Sequence, residues 1–375
     1  MSGTRGRICF VGLEAYPVLN PVHGHAGHGG EGVQQTLLAR SFVDRGYDVH
    51  MVVLDHGQAD DEVIDGIHIW KAYRPDAGIP IARFIYPRAS GLLRALRMAD
   101  AMIYYQSCAG AATGLTTWFC RRKGRRFVHR LASDTDCIPG RQIIRYARDR
   151  KLYEYGLYRA DLILSQSARQ QRLLLDNYGL SSAVAGMPVE PSEPLPLVER
   201  NIDVLWVANI RQLKRPGLVL SLAQRLPERR FHMAGGSCAG EEQLYSDLEH
   251  RASAIRNLQW SGFLPYRKAQ SLFPYARVFL STSETEGFPN TYLQAWMPGT
   301  PVVAFFDPDG IIEREGLGLV VRNEDEAQQA IENLLNDPAL WQSLSRQARG
   351  YAMNYHGESV IDRYETLMAP LFRER

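Results

Sequence analysis

The stretch Glu286-Gly287-Phe288-Pro289-Asn290-Thr291-Tyr292-Leu293-Gln294-Ala295-Trp296 brings a carboxylate, a glycine-proline turn and a helix start within a few residues of one another. The apolar run Val278-Phe279-Leu280 reads as a strand and the polar residues from Ser281 to Glu286 as a loop. Pro289 then falls in a first helical turn, where a missing N–H is tolerated. Backbone amides of Gly287 to Asn290 point out of the positive end of that helix, which suits a diphosphate, and glycine at 287 lets a ligand approach the main chain. Glu286 adds an acidic side chain beside that helix start. The plain alternative is an ordinary strand-loop-helix joint of an α/β domain.

Such a joint needs a sheet to hold it, and the sequence supplies two. Arg7 to Leu13 and Val49 to Leu54 are short apolar runs flanking a helical pattern from Val33 to Arg45, which is a βαβ opening. Ile67 to Lys71, Ala101 to Tyr105, Phe127 to Leu131 and Leu162 to Ser165 continue as strands, with helix-length segments between them such as Gly110 to Cys120 and Ile143 to Tyr158. The alternation predicts parallel sheets. It breaks at a proline-rich stretch, Gly186 to Asn201, and restarts with strands at Asp203 to Ala208, Arg230 to Ala234, Leu258 to Trp260, Val278 to Ser281 and Pro301 to Phe305. This gives an α/β protein with a first domain over 1–190, a second over 191–357 and a final amphipathic helix over 358–375.

The chain of 375 residues is long enough for two cores, and its charge is near balance at +2. Residues 1–190 carry 24 Lys+Arg against 18 Asp+Glu and residues 191–375 carry 19 against 23, an asymmetry too mild for nucleic-acid binding. It is compatible with a first domain that meets an anionic membrane. Two segments there are arginine-bearing: Ile79 to Met98, and the run Arg121-Arg122-Lys123-Gly124-Arg125-Arg126. Each reads either as a lipid-facing surface or as a solvated face. No apolar run reaches membrane-spanning length, and Met1-Ser2-Gly3-Thr4-Arg5 leads straight into a strand, so the expected location is cytoplasmic, with peripheral contact at the inner membrane face as an addition. Five scattered cysteines without a CxxC pair predict neither disulfides nor a structural zinc.

The segment from Glu286, with Pro298-Gly299-Thr300-Pro301-Val302-Val303 behind it, resembles the glutamate-x7-glutamate signature of family 4 glycosyltransferases, retaining enzymes of the GT-B fold. The resemblance implies two Rossmann-like parallel-sheet domains facing each other across a cleft, the acceptor on the first and the nucleotide sugar on the second. It also implies that the last helix returns to the first domain. Gln294 stands where the family carries its second glutamate, the ribose ligand; an amide can still hydrogen-bond a diol but brings no charge. Lys214 falls at the family's phosphate-binding lysine, whereas Asn209 occupies the usual arginine position. Arg211, two residues on, either replaces that cation or is a solvated loop charge, and Arg215 reads as surface. Gly236, in Gly235-Gly236-Ser237, resembles the glycine turn near the nucleotide, and Leu264, in Gly262-Phe263-Leu264-Pro265, the segment whose backbone meets the base. Both also fit a plain βα turn.

In the first domain the loop Gly24 to Gln34, with Gly29 and Gly30, resembles the family's glycine-rich loop before its first helix, a ligand site or else a flexible connector. Its match to a dinucleotide fingerprint is literal only, because about a dozen residues separate it from the strand it should follow directly. Many family members end the strand matching Phe127 to Leu131 with a catalytic histidine, and the aligned position here is nearer Ala132 or Ser133 than His129. By alternation His129 shares a face with Leu131, which favours a hydrogen-bonded core histidine over a catalyst. Asp134 and Asp136 follow at the strand end, as contacts to sugar or acceptor hydroxyls or as caps. Asp307-Pro308-Asp309-Gly310 is either a closing loop or a tight turn.

The resulting expectation is a metal-independent retaining hexosyltransferase that needs no cofactor beyond its donor. It moves a sugar from a nucleoside diphosphate sugar to a saccharide or lipid-linked saccharide, in surface polysaccharide or glycoconjugate synthesis. Glu286, Asp134 and His129 are the catalytic candidates; Arg211, Lys214, Gly236, Leu264, Gly287, Phe288, Pro289, Asn290, Gln294, Gly29 and Gly30 are the donor-binding ones. A GT-B epimerase and a catalytically silent sugar-binding protein are the rivals.

Overall fold

A computed structural model describes residues 5–23, 30–80 and 82–373, in two compact units. The first holds an eight-stranded sheet: β1 (Arg7–Val11), β2 (Asp48–Val53), β3 (Glu62–Ile64), β4 (Ile67–Lys71), β5 (Ile103–Ser107), β6 (Arg126–Arg130), β7 (Leu162–Ser165) and β8 (Ala183–Val184), in the order β3-β4-β2-β1-β5-β6-β7-β8. All neighbours are parallel except β3 and β4, which form an antiparallel hairpin. That corrects the expectation of a wholly parallel sheet. The cause is local: Asp65 and Gly66 both adopt positive φ (51° and 76°), the two-residue turn that matches the twist of paired strands.

The second unit contains β9 (Ile202–Val207), β10 (Phe231–Ala234), β11 (Leu258–Trp260), β12 (Ala276–Ser281), β13 (Val302–Ala304) and β14 (Gly318–Val320) in the order β11-β10-β9-β12-β13-β14, all parallel. Its inner strands read as continuous apolar runs because helices cover both faces of a parallel sheet. Val204, Trp206, Met233, Val278, Leu280 and Val303 pack with Leu220, Leu222, Ile331 and Leu334 of the covering helices.

The chain passes from the first unit to the second at Pro188–Val189 and rejoins the first at Val360. There the helix Glu358–Met368 buries Val360, Ile361, Tyr364 and Met368 in the core built on Ile8, Phe10 and Tyr105. Tyr364 donates its hydroxyl proton to the Gly186 carbonyl at 3.1 Å, and Arg45 bridges Asp362 and Glu365.

Arg200 organises the second unit in a way its sequence does not announce. Its guanidinium is buried, with no carboxylate partner among the described residues, and donates to the carbonyls of Leu195 (3.1 Å), Ala276 (2.7 Å) and Pro298 (2.6 Å) and to Thr300 Oγ1 (2.8 Å), lying over the Trp341 ring. Burial pulls its pKa down to about 10. The Pro298-Gly299-Thr300 turn is tied by this side chain to the start of β12, while Ser345 donates to the Gly299 carbonyl (2.6 Å) and Thr300 to that of Phe273 (2.9 Å).

Candidate active site

Four loops follow the C-terminal ends of β9, β10, β11 and β12, the edge at which open parallel sheets hold ligands. Backbone bonds join the first three. Ala208 N–H donates to the Ala234 carbonyl (3.1 Å), Ile210 N–H to that of Gly236 (2.9 Å), and Gly235 N–H to that of Gly262 (2.8 Å). A Cβ on Gly235 would lie 1.9 Å from the Ala208 carbonyl oxygen, so no other residue lets these strand ends approach so closely. Gly236 and the Gly262–Leu264 segment are thereby held beside the β9 loop.

The loop after β9 folds into a short turn, Gln212–Lys214, and Arg215 reverses it at φ 46°. Lys214 then donates its ammonium proton to Glu286 Oε1, 72 positions along the chain. Two residues singled out separately by type are therefore one ion pair, both partly exposed. Thr282 fixes the spacing: its hydroxyl donates to the Lys214 carbonyl and accepts from Trp206 Nε1 at 2.9 Å. Arg215, which sequence reasoning placed on the surface, donates to the Thr282 carbonyl (2.7 Å) and to Glu284 (3.1 Å) while stacking on Phe305. It positions the β12 loop rather than lying idle in solvent. Arg211 is exposed and rests its Nε on Cys238 Sγ at 3.4 Å, over the glycine turn.

The helix behind Glu286 spans Asn290–Trp296, and Pro289 is its N-cap, in extended conformation, rather than a residue of its first turn. With seven residues it offers a ligand its first amides more than a macrodipole. Its position is firm. Tyr292 donates to the Phe306 carbonyl (2.8 Å), Trp296 donates to the Leu317 carbonyl (3.0 Å), and Phe288 packs on Trp296 and His356. Phe288 thus anchors the loop by packing. Gln294, four residues after Asn290 and so on the same helix face, is 8% exposed and makes no side-chain hydrogen bond among the described residues. Asp307 is a cap: its carboxylate accepts from the amides of Ile312 (2.8 Å) and Glu313 (3.3 Å).

In the first unit the candidates separate. His129 is 0% exposed, in contact with Gln106 Oε1 through Nδ1 (3.1 Å) and edge-on to Tyr153. A ring so enclosed does not reach an acceptor, and the catalytic reading of His129 gives way to that of a core residue. Burial lowers its pKa to about 3. The folded state therefore holds it neutral while an unfolded chain protonates it below about 6.5. Stability from this group is complete above pH 6.5 and is lost as pH falls toward 3. The acid side of the Tm–pH curve should be shallower in His129→Gln than in the parent, and identical slopes would show that the imidazole does not carry the effect.

Asp136 caps the turn Asp134–Cys137, accepting from the amides of Ala132 (3.1 Å) and Ser133 (3.0 Å), and burial raises its pKa to about 6. Asp134 forms an ion pair with Arg169 at 2.9 Å and keeps part of its carboxylate in solvent. Gly30 opens the helix Gly30–Asp44, whereas Gly29 and the rest of the loop 24–29 lie outside the described residues. Two neighbours escaped sequence reasoning. Glu31, in the first turn of that helix, accepts from Gln35 and has its pKa raised by burial to about 7. Arg130, at the end of β6 and 2% exposed, keeps Nε and Nη2 without a partner among the described residues. Its charge contributes to holding the Glu31 value down. Only their tertiary burial distinguishes them from ordinary charged residues.

The sequence model described as glycosyl transferases group 1 matches residues 190–351, the segment that contains every element of this loop cluster. The second unit is a group 1 glycosyltransferase domain. An O-antigen biosynthesis glycosyltransferase, WbnH of Escherichia coli, is 26% identical over 216 residues, 54% of this chain and 57% of that protein. An uncharacterized glycosyltransferase of Haemophilus influenzae is 25% identical over 153 residues, 39% of this chain and 42% of that protein. The chain thus spans about half the length of these curated relatives. Across almost its whole length it shares the fold of sucrose-phosphate synthase from Thermosynechococcus elongatus (TM-score 0.76, 17% identity, 98% of this chain and 99% of that one). It likewise resembles Anabaena HepE in complex with UDP-glucose (TM-score 0.73, 14% identity, 97% and 100%). The expected GT-B architecture, two Rossmann-like parallel-sheet domains, is borne out at the level of fold. Lys214 and Glu286 both lie within the matched residues.

Proposed function

We propose that this protein is a retaining glycosyltransferase that uses a nucleoside diphosphate sugar and transfers the sugar to a saccharide or lipid-linked saccharide during surface polysaccharide or glycoconjugate synthesis. The observation that carries the reading is the Lys214–Glu286 pair, held by Thr282 and Arg215 at the ends of β9 and β12 within a group 1 domain. The HepE complex with UDP-glucose supports a nucleotide sugar as donor, and WbnH, named for O-antigen biosynthesis, supports a saccharide acceptor.

The bond between the anomeric carbon and the diphosphate breaks, and negative charge grows on the leaving oxygen. Lys214, Arg211 and the amides from Gly287 to Asn290 neutralise it, and this is where electrostatic help acts on the rate. In the resting pair Glu286 holds the ammonium in place; a diphosphate competes for that ammonium and leaves Glu286 to orient the donor hydroxyls. The acceptor oxygen forms the new bond on the face the diphosphate leaves, and its proton passes to the leaving phosphate. Fixed cations and amides do the neutralising, so the proposal includes independence from a metal. Gln294 makes the ribose contact as a neutral donor and acceptor, Gly236 and Leu264 border the nucleotide, and Asp134 meets the acceptor. No helix among the described residues is long and apolar enough to cross a membrane, and the proposed place of action is the cytoplasm.

The test is a panel of nucleoside diphosphate sugars, each with and without saccharide acceptors. Nucleoside diphosphate release that requires the acceptor supports transfer. An epimerised donor without acceptor would instead indicate an isomerase, and no turnover of any donor that binds would indicate a sugar-binding protein. A finer check is Gln294→Glu, which should preserve or tighten nucleotide binding by calorimetry; a large loss would remove residue 294 from the ribose contact.

A further inference from the structure

The first unit carries a surface unlike the rest of the described chain. Ile79, Ile85, Tyr86 and Ile143 are 69%, 72%, 73% and 86% exposed, and Tyr146 is also exposed. Two segments distant in sequence supply them, 79–88 and 141–151, and the structure ties these together: the Arg148 guanidinium lies 3.4 Å from the centre of the Phe84 ring and also stacks toward Tyr146. Arg145 covers the same Tyr146 ring at 5.4 Å. The two segments hold seven basic residues and a single acidic one, Asp149, which pairs with Arg148 at 2.7 Å; Arg88 and Arg150 bury their Nε and donate to backbone carbonyls, which leaves Arg83, Arg141, Arg145, Arg148 and Lys151 as the cations of the face. A shallow depression bounded by Arg148, Lys151, Leu152 and Tyr155 continues the patch along the helix Ala147–Leu157.

Exposed isoleucines cost free energy in water, and their arrangement beside a strong excess of arginine is the pattern of an interfacial surface: apolar side chains enter the acyl boundary, tyrosines sit at headgroup depth and guanidinium groups meet phosphates. We propose that the face formed by residues 79–80, 82–88 and 141–151 docks the first unit on an anionic lipid bilayer. The other basic run is built differently. Arg125 is engaged by Asp100 (2.6 Å), Arg126 by Asp161 (3.2 Å), and Arg122 lies against Trp118.

Co-sedimentation with vesicles tests the proposal without nucleotide or acceptor, so its outcome is independent of the catalytic reading. The parent protein should sediment with equimolar phosphatidylglycerol and phosphatidylcholine and remain in solution with phosphatidylcholine alone. Arg145→Gln with Arg148→Gln should weaken partitioning by about fivefold per charge removed. Ile85→Ser with Ile143→Ser should weaken it at low and at high salt alike, because the apolar contribution is not screened. These side chains are exposed, and circular dichroism verifies that the variants are folded. Arg121→Gln with Arg122→Gln should leave partitioning near the parent's. Absence of binding to the anionic vesicles would overturn the proposal, an acidic protein partner then becoming the better reading of the charge. It would equally be overturned if the Arg121/Arg122 variant lost as much as the Arg145/Arg148 variant, or if the isoleucine variant bound like the parent.

Discussion

Lys214→Ala should lower kcat for sugar transfer by about 10²–10³ while the protein remains folded, because in the proposed reaction the ammonium acts chiefly on charge that appears as the diphosphate leaves. Glu286→Gln keeps the shape of the side chain and removes only its charge; its loss in kcat is of the same order, since the amide both loosens Lys214 and presents a donor where sugar hydroxyls need an acceptor. The two losses should not add. Lys214 and Glu286 share a hydrogen bond, so the double variant falls short of the product of the single effects, and a double-mutant cycle on kcat/KM measures the shortfall. Lys214→Arg is a sharper control: it keeps the charge but changes its geometry, and it should recover only part of the activity. Activity within twofold of the parent in either single variant, or strict additivity, would dissolve the pair as the working unit.

The largest expected effect on stability is at Arg200. Arg200→Met fills the volume of the stem but leaves the carbonyls of Leu195 and Pro298 without the donor they have, whereas that of Ala276 still accepts from Thr300 Oγ1 at 3.3 Å. Each buried orphan costs about 1–3 kcal/mol, partly offset because a desolvated cation is also removed, so the net loss is on the order of 2–4 kcal/mol. Arg200→Lys lands between the two, since one ammonium cannot span four acceptors that a planar fork reaches. Urea unfolding followed by tryptophan fluorescence, to which the second unit contributes Trp206, Trp260, Trp296 and Trp341, checks this. A midpoint unchanged in Arg200→Met would mean that the Pro298–Thr300 turn holds itself.

Local chemistry was legible in the sequence wherever it is also local in space. Apolar-rich runs located β4, β7 and β11 to the residue and most other strands within one or two positions, and the inner strands stood out because a strand covered on both faces needs nearly unbroken hydrophobicity. The alternation that put His129 on the face of Leu131 foretold its burial. Short elements escaped: β3 has three residues and β8 two, too few for a period to emerge, although Asp65-Gly66 was a readable hairpin signal. Pro289 shifted by one position because N-cap and first-turn prolines look alike in sequence. The contacts that make the site were beyond reach for a different reason. Arg215 holds a carbonyl 67 positions away and Arg200 one 98 positions away, and nothing in either residue's neighbourhood marks it. Lys214 and Glu286 were each visible, but that they touch is a property of the sheet order, which places β9 beside β12.

The central claim is that the loops after β9, β10, β11 and β12 form one nucleoside diphosphate sugar site. Amide hydrogen exchange with and without the donor that the panel identifies addresses it directly. The account predicts slowed exchange concentrated in residues 208–216, 235–238, 262–265 and 286–294, with the protection lost in Lys214→Ala. Protection that bypasses these four segments, or that survives Lys214→Ala unchanged, would contradict it.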